Sequence, residues 1–242
     1  MNDLPLIHKT VLVTGAARRL GRIFALACSK AGANIVIHHG DSDDEAEQVS
    51  EEIEQLGQKA WIFKGDLNDA AETRELITRI NAVTQLDALV NSAAIFEALT
   101  LEQTQLEDWE RHLAINLTAP FLLSQAFVKQ IHKNGRIVNI LDWRALRPGP
   151  DHFPYTVSKA ALAAMTKSMA SAVAPKVQVN GLALGAILPP ADGKKDDKIL
   201  ERVPMKRWAT EQEVEKTLIF LLTAPTYITG EIVHLDGGRH LL

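Results

Sequence analysis

Residues 10–21 of the chain read TVLVTGAARRLG and lead directly into a segment with apolar residues at helical spacing. The opening TVLV is short, apolar and rich in β-branched residues, which is typical of a buried strand. Gly15 then allows a sharp turn and a close approach of the main chain to a ligand, and the start of the helix presents unpaired N–H groups with a partial positive charge. Such a unit suits a pyrophosphate, although an ordinary tight connection between a strand and a helix would look the same.

The alternation of short apolar runs and amphipathic segments continues along the chain. The amphipathic segments show the 3.6-residue period of helices, for example through Val49, Ile53 and Leu56. The runs that indicate strands are 10–13, 34–37, 60–63, 88–90, 137–141, 177–182 and 232–235. Strands that are apolar on both faces and alternate with helices predict a parallel sheet covered by helices on both sides. We therefore expect one α/β domain over residues 1–242, doubly wound around a seven-stranded parallel sheet.

Local signals predict where several helices begin and end. Ser42 followed by Glu45 is a candidate capping box for the second helix, while Gly32 and Gly57 lie where helix-ending residues are expected. Residues 188–201 are the least regular stretch, with prolines, a glycine and a run of charged residues. We interpret them as a mobile loop with a short helix, and their position near the strand ends suits a substrate lid.

The composition leaves a small soluble ligand as the default partner. Hydrophobic residues make up 46% of the chain, charged residues 23%, and the formal net charge is −4, so we expect neither a nucleic acid nor a membrane as partner. The first residues lack the pattern of a secretory signal, which favours a cytoplasmic protein. The one cysteine, Cys28, excludes an intrachain disulfide and a cysteine-rich metal site. We expect Cys28 to be a small core residue and no metal to be bound.

Further motifs follow the glycine turn in order. They are Thr14-Gly15 with Gly21, Asp66 in GDL, Asn91 in NSAA, Asn116 in INL, Tyr155 and Lys159 in YTVSK, Val179-Asn180, and Asp236 in DGG. With these motifs in this order and at these separations, the chain resembles the short-chain dehydrogenase/reductase family over nearly its whole length. The resemblance implies a Rossmann-type domain, a nicotinamide cofactor and a homotetramer. One position departs from the family pattern, because Arg19 stands where glycine is usual.

The resemblance also implies which residues bind the cofactor. They are Gly15, Arg18, Arg19, Leu20, His39, Asp66, Leu67, Asn91, Ala93, Tyr155, Lys159 and Gly185. Family members that prefer NAD carry an acid at the end of the second strand, where it binds the ribose 2′-hydroxyl. Here His39 aligns with that acid while Arg18 and Arg19 approach from the turn, and this basic arrangement predicts NADPH. Asp41 leaves the opposite preference open, since another loop path could bring it to the ribose; otherwise it is a helix cap.

Tyr155 and Lys159 are four residues apart in a helical pattern, so their side chains share one face. A nearby ammonium group stabilises a phenolate, and we expect it to lower the pKa of Tyr155 from about 10 so that the phenol can pass a proton to a substrate. A surface tyrosine and lysine one turn apart would show the same spacing. By resemblance Asn116 holds a water that connects Lys159 to solvent, although near Pro120 it could equally mark a helix kink.

Most family members place a serine thirteen residues before the tyrosine, where this chain has Asp142. An ionised aspartate only accepts hydrogen bonds and repels a developing alkoxide, whereas a buried, protonated one can donate, so the substrate should carry donors or a basic nitrogen. This aspartate and the TGAARRLG turn resemble the pteridine reductases and dihydromonapterin reductases. That resemblance assigns substrate binding to Phe96, Asp142 and Tyr155, with Phe96 stacking a pterin against the nicotinamide. Phe96 could instead be ordinary core or loop packing.

Together these features predict an NADPH-dependent pteridine reductase that transfers hydride to a dihydropterin and gives a tetrahydropterin. Its catalytic residues would be Asp142, Tyr155, Lys159 and Asn116. A reductase of 3-oxoacyl thioesters or other ketones is the nearest alternative, because such enzymes are common in the family, but Asp142 opposes it. A non-catalytic NADP-binding sensor is a second alternative, which the intact pair of Tyr155 and Lys159 opposes.

Overall fold

A computed structural model describes residues 4–132, 134–188 and 198–242 of the chain. Seven strands in these ranges form one sheet, and every neighbouring pair is parallel. The strands are β1 (Thr10–Val13), β2 (Asn34–His39), β3 (Ala60–Lys64), β4 (Ala88–Asn91), β5 (Gly135–Asp142), β6 (Val177–Leu184) and β7 (Ile232–Leu235). Their order across the sheet is β3-β2-β1-β4-β5-β6-β7. The predicted seven-stranded parallel sheet is therefore confirmed.

Helices cover both faces of the sheet. They are α1 (Arg19–Lys30), α2 (Asp43–Gln55), α3 (Ala70–Asn81), α4 (Leu106–Leu113), α5 (Ala119–Gln130), α6 (Phe153–Val173), α7 (Lys198–Glu201) and α8 (Glu211–Thr223). One π-helical turn, Ala114–Thr118, joins α4 to α5. Helices α1, α2 and α8 pack into one apolar cluster, and α3, α5 and α6 contribute to the cluster on the opposite face. The single doubly wound domain predicted from the sequence is confirmed.

The strands are apolar because helices cover them from both sides. In β1 the side chains of Val11 and Val13 enter one cluster and Leu12 enters the other, as the alternation of a strand requires. All three are inaccessible to solvent. Cys28 of α1 is fully buried in the first cluster, as expected, and burial raises the pKa of its thiol. This cysteine is therefore a packing residue.

The sheet has a switch point between β1 and β4, where the strand order reverses. In open parallel sheets ligands bind outside the carboxyl ends of the strands at such a point. At this edge Gly15 follows β1 closely, Asn91 ends β4, Asp142 ends β5 and Gly185 follows β6. Residues that are far apart in the sequence therefore meet at one edge of the sheet.

The predicted helix ends are confirmed in part. Gly32 and Gly57 follow α1 and α2 with φ of +98° and +82°, a left-handed conformation that glycine adopts without strain. The capping box predicted for Ser42 and Glu45 is wrong. Ser42 is the N-cap residue of α2, but its side chain makes no capping hydrogen bond. The Glu45 carboxylate instead pairs with Arg18 at 2.6 Å, a partner from another element.

Residues 188–201, predicted to form a mobile loop with a short helix, are described only in part. The short helix is α7 at Lys198–Glu201. Residues 189–197 lie outside the described residues, so the substrate lid stays a prediction. Within the described ranges, no helix combines the length and the apolar character needed to cross a membrane.

Candidate active site

The turn between β1 and α1 brings the main chain close to the start of the helix. Gly15 has φ of +64°, and a Cβ at Gly21 would collide with the Gly15 carbonyl oxygen. Arg19 has φ of +51°. This left-handed conformation costs a residue with a side chain roughly 1–2 kcal/mol, which explains why glycine is usual at this position. The Arg19 side chain is exposed and Leu20 is half-buried, so both lie at the surface of the turn.

The buried side chain of His38, which was not predicted as a site residue, holds the glycine turn in place. Its Nδ1 accepts a hydrogen bond from the Gly15 N–H at 3.3 Å, and its Nε2 lies 3.1 Å from the Gly65 carbonyl oxygen. Both contacts are satisfied only by the neutral ring with its proton on Nε2. Burial lowers the pKa of His38 to about 4, which keeps the ring neutral at physiological pH. His38 therefore links the ends of β1, β2 and β3.

The residues expected to select NADPH lie near the start of α2, where Arg18 and His39 contact residues of that helix and its N-cap. Arg18 pairs with Glu45 at 2.6 Å, and the buried His39 accepts the Ser42 N–H on Nδ1 at 3.3 Å. Asp41 is exposed and is not the N-cap of α2, so its interpretation as a helix cap is wrong. Glu45 was not predicted to belong to this region. The ion pair between Glu45 and Arg18 must loosen or break before all donors of the Arg18 guanidinium can bind a phosphate.

The loop after β4 is held by Thr14. The Thr14 Oγ1 accepts hydrogen bonds from the Ser92 and Ala93 N–H groups at 2.9 and 3.0 Å. Asn91 instead turns into the sheet, where its Nδ2 donates to the Asn139 Oδ1 at 2.8 Å. Its buried Oδ1 has no hydrogen-bond partner among the described residues. Any contact of Asn91 with a cofactor would therefore come from its main chain.

Asp66, Leu67 and Gly185 also lie beyond the carboxyl ends of the strands. Asp66 is exposed, and its Oδ1 accepts the Asn68 N–H at 2.8 Å, which orients the carboxylate. Leu67 is buried in the apolar cluster with α3. A Cβ at Gly185 would lie 2.6 Å from the Asp236 Cα, so only glycine fits there. The cofactor contacts implied for Asp66, Leu67 and Gly185 stay predictions.

Tyr155 and Lys159 share one face of α6, as predicted, and Asp142 meets them from the end of β5. The Tyr155 hydroxyl donates to the Asp142 Oδ2 at 3.3 Å. The Lys159 ammonium lies 5.8 Å from the centre of the Tyr155 ring and donates to the Ile140 carbonyl oxygen at 2.7 Å. Only 7% of Tyr155 and 2% of Lys159 is exposed, so this is not a surface pair.

Burial shifts the pKa of each of these three side chains toward its neutral form. It raises the pKa of Asp142, although the nearby Arg144 guanidinium lowers that pKa in part. It also lowers the pKa of Lys159 to about 8. Burial also raises the pKa of Tyr155 well above its usual value, and the neighbouring Asp142 raises it further. The expectation that Lys159 lowers the pKa of Tyr155 is wrong in this structure, because burial and the Asp142 carboxyl raise that pKa, and the positive charge that opposes them is the Arg144 guanidinium. Tyr155 is therefore a protonated donor.

Asn116 lies in the π-helical turn between α4 and α5 and is fully buried. Its Oδ1 accepts the Ile95 N–H at 2.9 Å, and its Nδ2 donates to the Ile95 carbonyl oxygen and to the Ser158 Oγ, both at 3.1 Å. The side chain thus holds the loop after β4 against α6. The π-helical turn agrees with a helix irregularity at this position. The water between Asn116 and Lys159 stays a prediction.

Phe96 lies beside Tyr155. The Phe96 ring meets the Tyr155 ring edge-on with centres 4.6 Å apart, and the His152 imidazole stacks on it at 4.0 Å with the planes 10° apart. Phe96 is 53% exposed, so it is not a core residue. His152, the N-cap of α6 with φ of +53°, was not predicted to belong to the site. An exposed ring that stacks a heteroaromatic group next to Tyr155 is suited to a flat ligand.

Arg144, which was not predicted either, places a positive charge in the site. Its main-chain N–H and its guanidinium contact the Asp142 Oδ1 at 2.8 and 3.5 Å, and its Nη2 donates to the Asp151 Oδ2 at 2.7 Å. Only 11% of the Arg144 side chain is exposed. Its guanidinium carbon lies 5.7 Å from the centre of the Phe96 ring. A charged residue just after a strand at the ligand-binding edge was the signal available in the sequence.

Comparison with known proteins agrees with this fold. A family model described as enoyl-(acyl carrier protein) reductase matches residues 15–240. The chain belongs to the short-chain dehydrogenase/reductase family. Among curated members of the short-chain dehydrogenase/reductase family, the 3-oxoacyl-(acyl-carrier-protein) reductase of Synechocystis sp. is 34% identical over 240 residues, which cover 96% of this chain and 97% of the relative.

Solved structures of similar proteins match over the full length of the chain. FolM alternative dihydrofolate reductase 1 from Brucella canis, complexed with NADP, has a TM-score of 0.89 and 31% identity and covers 100% of this chain and 97% of that chain. A gluconate 5-dehydrogenase from Burkholderia cenocepacia, in complex with NADP and tartrate, has a TM-score of 0.91 and 28% identity, with coverages of 99% and 98%. The prediction of a short-chain dehydrogenase/reductase, an oxidoreductase with this fold, is thus confirmed.

Proposed function

We propose that the protein is an NADPH-dependent pteridine reductase that converts a dihydropterin to a tetrahydropterin. The observation that carries this proposal is the carboxyl of Asp142, with 15% of its side chain exposed, at 3.3 Å from the Tyr155 hydroxyl in place of the usual serine. A carboxyl group at this point suits a substrate with ring nitrogens better than a ketone. The Brucella canis relative is called an alternative dihydrofolate reductase, and dihydrofolate contains a dihydropterin ring.

The edge of the sheet at β1 and β4 fits a dinucleotide. Gly15 and Gly21 keep side chains out of the space between the turn and α1, and the N–H groups at the start of α1 favour a pyrophosphate. Arg18 and Arg19 are exposed beside this turn, where guanidinium groups would bind the additional phosphate of NADPH. When bound, NADPH supplies the hydride of the reaction. The NADP complexes of the Brucella and Burkholderia proteins agree with this cofactor.

Asp142 and Tyr155 supply the proton of the reaction. Because burial raises the pKa of both, the hydroxyl stays protonated at neutral pH and the carboxyl keeps a proton more readily than an exposed one. A ring nitrogen placed against this pair receives a proton from the carboxyl or from the hydroxyl. Lys159, whose pKa is lowered to about 8, gives up a proton more easily than an exposed lysine. Its ammonium lies 5.8 Å from the centre of the Tyr155 ring, from where it would help return a proton to Asp142 or Tyr155.

Phe96 orients the ring of the substrate. Its stacking with the His152 imidazole, at 4.0 Å and 10°, is the geometry in which a phenyl ring binds a flat heterocycle. A pterin on Phe96 would lie next to the Tyr155 hydroxyl, because the centres of these two rings are 4.6 Å apart. The exposure of Phe96 leaves a route for the substrate to enter.

A 3-oxoacyl thioester reductase is the second candidate function, and the Synechocystis relative favours it. In that reaction a ketone oxygen becomes an alkoxide beside Asp142, so the carboxyl would have to stay protonated until the alkoxide has its proton, because an ionised carboxylate repels the developing charge. A non-catalytic NADP-binding sensor is the third candidate. Nothing in a binding role requires a buried tyrosine, lysine and aspartate to meet at the ligand edge, where their desolvation is costly.

Turnover of two substrates separates these candidates. Wild-type protein should oxidise NADPH with dihydrobiopterin or dihydromonapterin and do so far more slowly with an acetoacetyl thioester, as followed by nicotinamide absorbance. Asp142→Ser should lower the pterin rate by roughly 10²–10⁴, the usual effect of removing a positioned acid. Asp69→Ser is a matched control, because Asp69 is the exposed N-cap of α3, a position where serine also caps.

Each outcome of this assay has one meaning. Turnover of the thioester without turnover of either pterin would reject the pteridine reductase. Pterin turnover that survives Asp142→Ser would remove the observation that carries the proposal. Tight NADPH binding without turnover of any of these substrates would favour the sensor.

We also propose that the protein is a cytoplasmic homotetramer, as the family resemblance implies. Exposed apolar residues support association: Phe121 on α5, Phe220 on α8 and the terminal Leu242 are exposed to 43%, 46% and 56%. Association through these helices and the chain end would bury them. Sedimentation velocity measures the assembly, and a monomer at micromolar concentration would contradict it.

A further inference from the structure

A second group of polar side chains lies beside the catalytic site, around the indole of Trp143. The Arg239 guanidinium carbon lies 4.2 Å from the centre of a Trp143 ring, and the Arg144 guanidinium carbon lies 4.8 Å from one. Trp143 directly follows β5, whereas Arg239 begins the last helical turn, Arg239–Leu241. We call Trp143, Arg144 and Arg239 the Trp143 cluster. Two distant parts of the chain thus place two positive charges on one aromatic side chain.

The two arginines of the Trp143 cluster differ in how their charge is balanced. The Arg144 guanidinium contacts the carboxylates of Asp142 and Asp151 at 3.5 and 2.7 Å. Among the residues that the structure describes, no carboxylate forms an ion pair with Arg239, and its buried Nε has no hydrogen-bond partner. Burial lowers the pKa of the Arg239 guanidinium and the positive charge of Arg144 lowers it further, while the carboxylates of Asp142 and Asp151 oppose this without forming ion pairs with Arg239. Arg239 is therefore a partly buried cation whose charge an added anion would stabilise.

The Trp143 cluster is connected to the catalytic groups through Arg144. The Arg144 guanidinium contacts Asp142, which accepts the Tyr155 hydroxyl. It also lies 5.7 Å from the centre of the Phe96 ring. Arg144 thus lies near the Phe96 ring, and Arg239 lies over the same indole as Arg144. A substituent that leaves a ligand ring on Phe96 toward Trp143 would lead to Arg239.

We propose that the Trp143 cluster is an anion subsite, in which Arg239 binds a carboxylate or phosphate on the side chain of the substrate. This rests on the proposed function, because the catalytic site beside the cluster defines where the reacting ring lies. A planar guanidinium donates paired hydrogen bonds to either oxyanion. Stacking on the Trp143 indole holds that guanidinium in one orientation, so Trp143 is a positioning residue. The subsite favours substrates with a charged side chain over neutral ones.

Binding of small anions tests the subsite without relying on catalysis. The protein saturated with NADP⁺ is titrated by calorimetry with N-benzoylglutamate, with its uncharged dimethyl ester and with inorganic phosphate. Wild-type protein should bind the dicarboxylate at least about tenfold more tightly than the ester, as expected for a charge-assisted hydrogen bond. Displacement of the dicarboxylate by millimolar phosphate would extend the subsite to phosphorylated side chains, and its absence would restrict the subsite to carboxylates. Equal affinities for acid and ester would overturn the proposal.

Variants identify the arginine that binds the anion. Arg239→Gln keeps a planar polar group near Trp143 but removes the charge, and it should weaken dicarboxylate binding about tenfold or more. Arg74→Gln removes an exposed arginine from α3 and should bind like the wild type. If Arg239→Gln lowers the melting temperature but leaves anion binding unchanged, Arg239 only anchors the end of the chain and the proposal is wrong. Should this variant fail to fold, the comparison of acid and ester on wild-type protein still decides.

Kinetics distinguishes failure of the subsite from failure of the proposed function. Dihydrofolate carries a glutamate side chain and dihydrobiopterin a neutral one. Arg239→Gln should raise KM for dihydrofolate about tenfold or more, with kcat and the KM for dihydrobiopterin near their wild-type values. Equal changes for both substrates would overturn the subsite. If the protein turns over neither dihydropterin but Arg239→Gln still loses anion binding, the proposed function is refuted and the anion subsite is retained.

Discussion

Acidification should destabilise the fold through one buried histidine, His38. Its neutral ring accepts the Gly15 N–H on Nδ1 at 3.3 Å, and a second proton on the ring would remove that acceptor. Burial lowers the pKa of His38 from 6.5 to about 4 in the folded protein. The unfolded chain therefore binds this proton more readily than the folded one. The contribution of His38 to stability is complete above about pH 6.5 and is lost as the pH falls toward about 4.

The size of this loss follows from the two pKa values of His38. One pH unit corresponds to about 1.4 kcal/mol, so the interval from 6.5 to about 4 corresponds to about 3 kcal/mol. Of this free energy of unfolding, about 2 kcal/mol disappears between about pH 7.5 and pH 5, where most carboxylates still carry their charge. Such a loss is large beside the roughly 5–15 kcal/mol by which domains are usually stable.

Urea unfolding at several pH values and one protein concentration measures this loss. In His38→Asn the amide oxygen can accept the Gly15 N–H but does not titrate. The free energy of unfolding of this variant should therefore fall about 2 kcal/mol less than that of the wild type between about pH 7.5 and pH 5. The control His132→Asn removes an exposed histidine and should follow the wild type. Parallel pH profiles for the wild type and His38→Asn would refute the reasoning.

Two further predictions concern Tyr155 and the glycine turn. Tyr155→Phe removes the hydroxyl that donates to Asp142. The single-turnover rate should fall by roughly 10²–10⁴, while the NADPH dissociation constant stays unchanged. Near-normal turnover would exclude Tyr155 as proton donor. Arg19→Gly relieves a φ of +51° and should raise the free energy of unfolding in urea by up to about 1 kcal/mol. The same change should weaken NADPH binding more than NADH binding. A lower free energy of unfolding would contradict the backbone strain inferred at Arg19.

The elements of the fold were predictable because they depend on neighbours a few positions away. Apolar runs indicated every strand of the sheet, and the observed strands differ from the predicted ones mainly at their ends, as where β6 continues to Leu184. Gly32 and Gly57 were recognisable as helix ends for the same local reason. The capping box at Ser42 and Glu45 failed because a residue of another element, Arg18, takes the carboxylate.

The meeting of Asp142, Tyr155 and Lys159 was also predictable, but the shifts of their pKa values were not. A spacing of four placed Tyr155 and Lys159 on one face of a helix, and a parallel sheet brought the strand end at Asp142 to the same edge. Spacing alone indicated that the ammonium group lowers the pKa of the phenol. Burial and the Asp142 carboxyl raise the pKa of Tyr155 instead, and neither effect can be read from the spacing.

Contacts between distant side chains were decided only by the tertiary structure. His38 lies between the Gly15 and Gly65 main chains, and Arg239 stacks on Trp143. No spacing in the sequence predicts such contacts, because they depend on the order of the strands in the sheet and on how the loops pack over its edge. The elements, their order along the chain and the sheet edge of the candidate site could all be read from the amino-acid sequence. The charges and pKa values at that edge arise only on folding, since each group responds to its burial and to the neighbours that the fold brings to it.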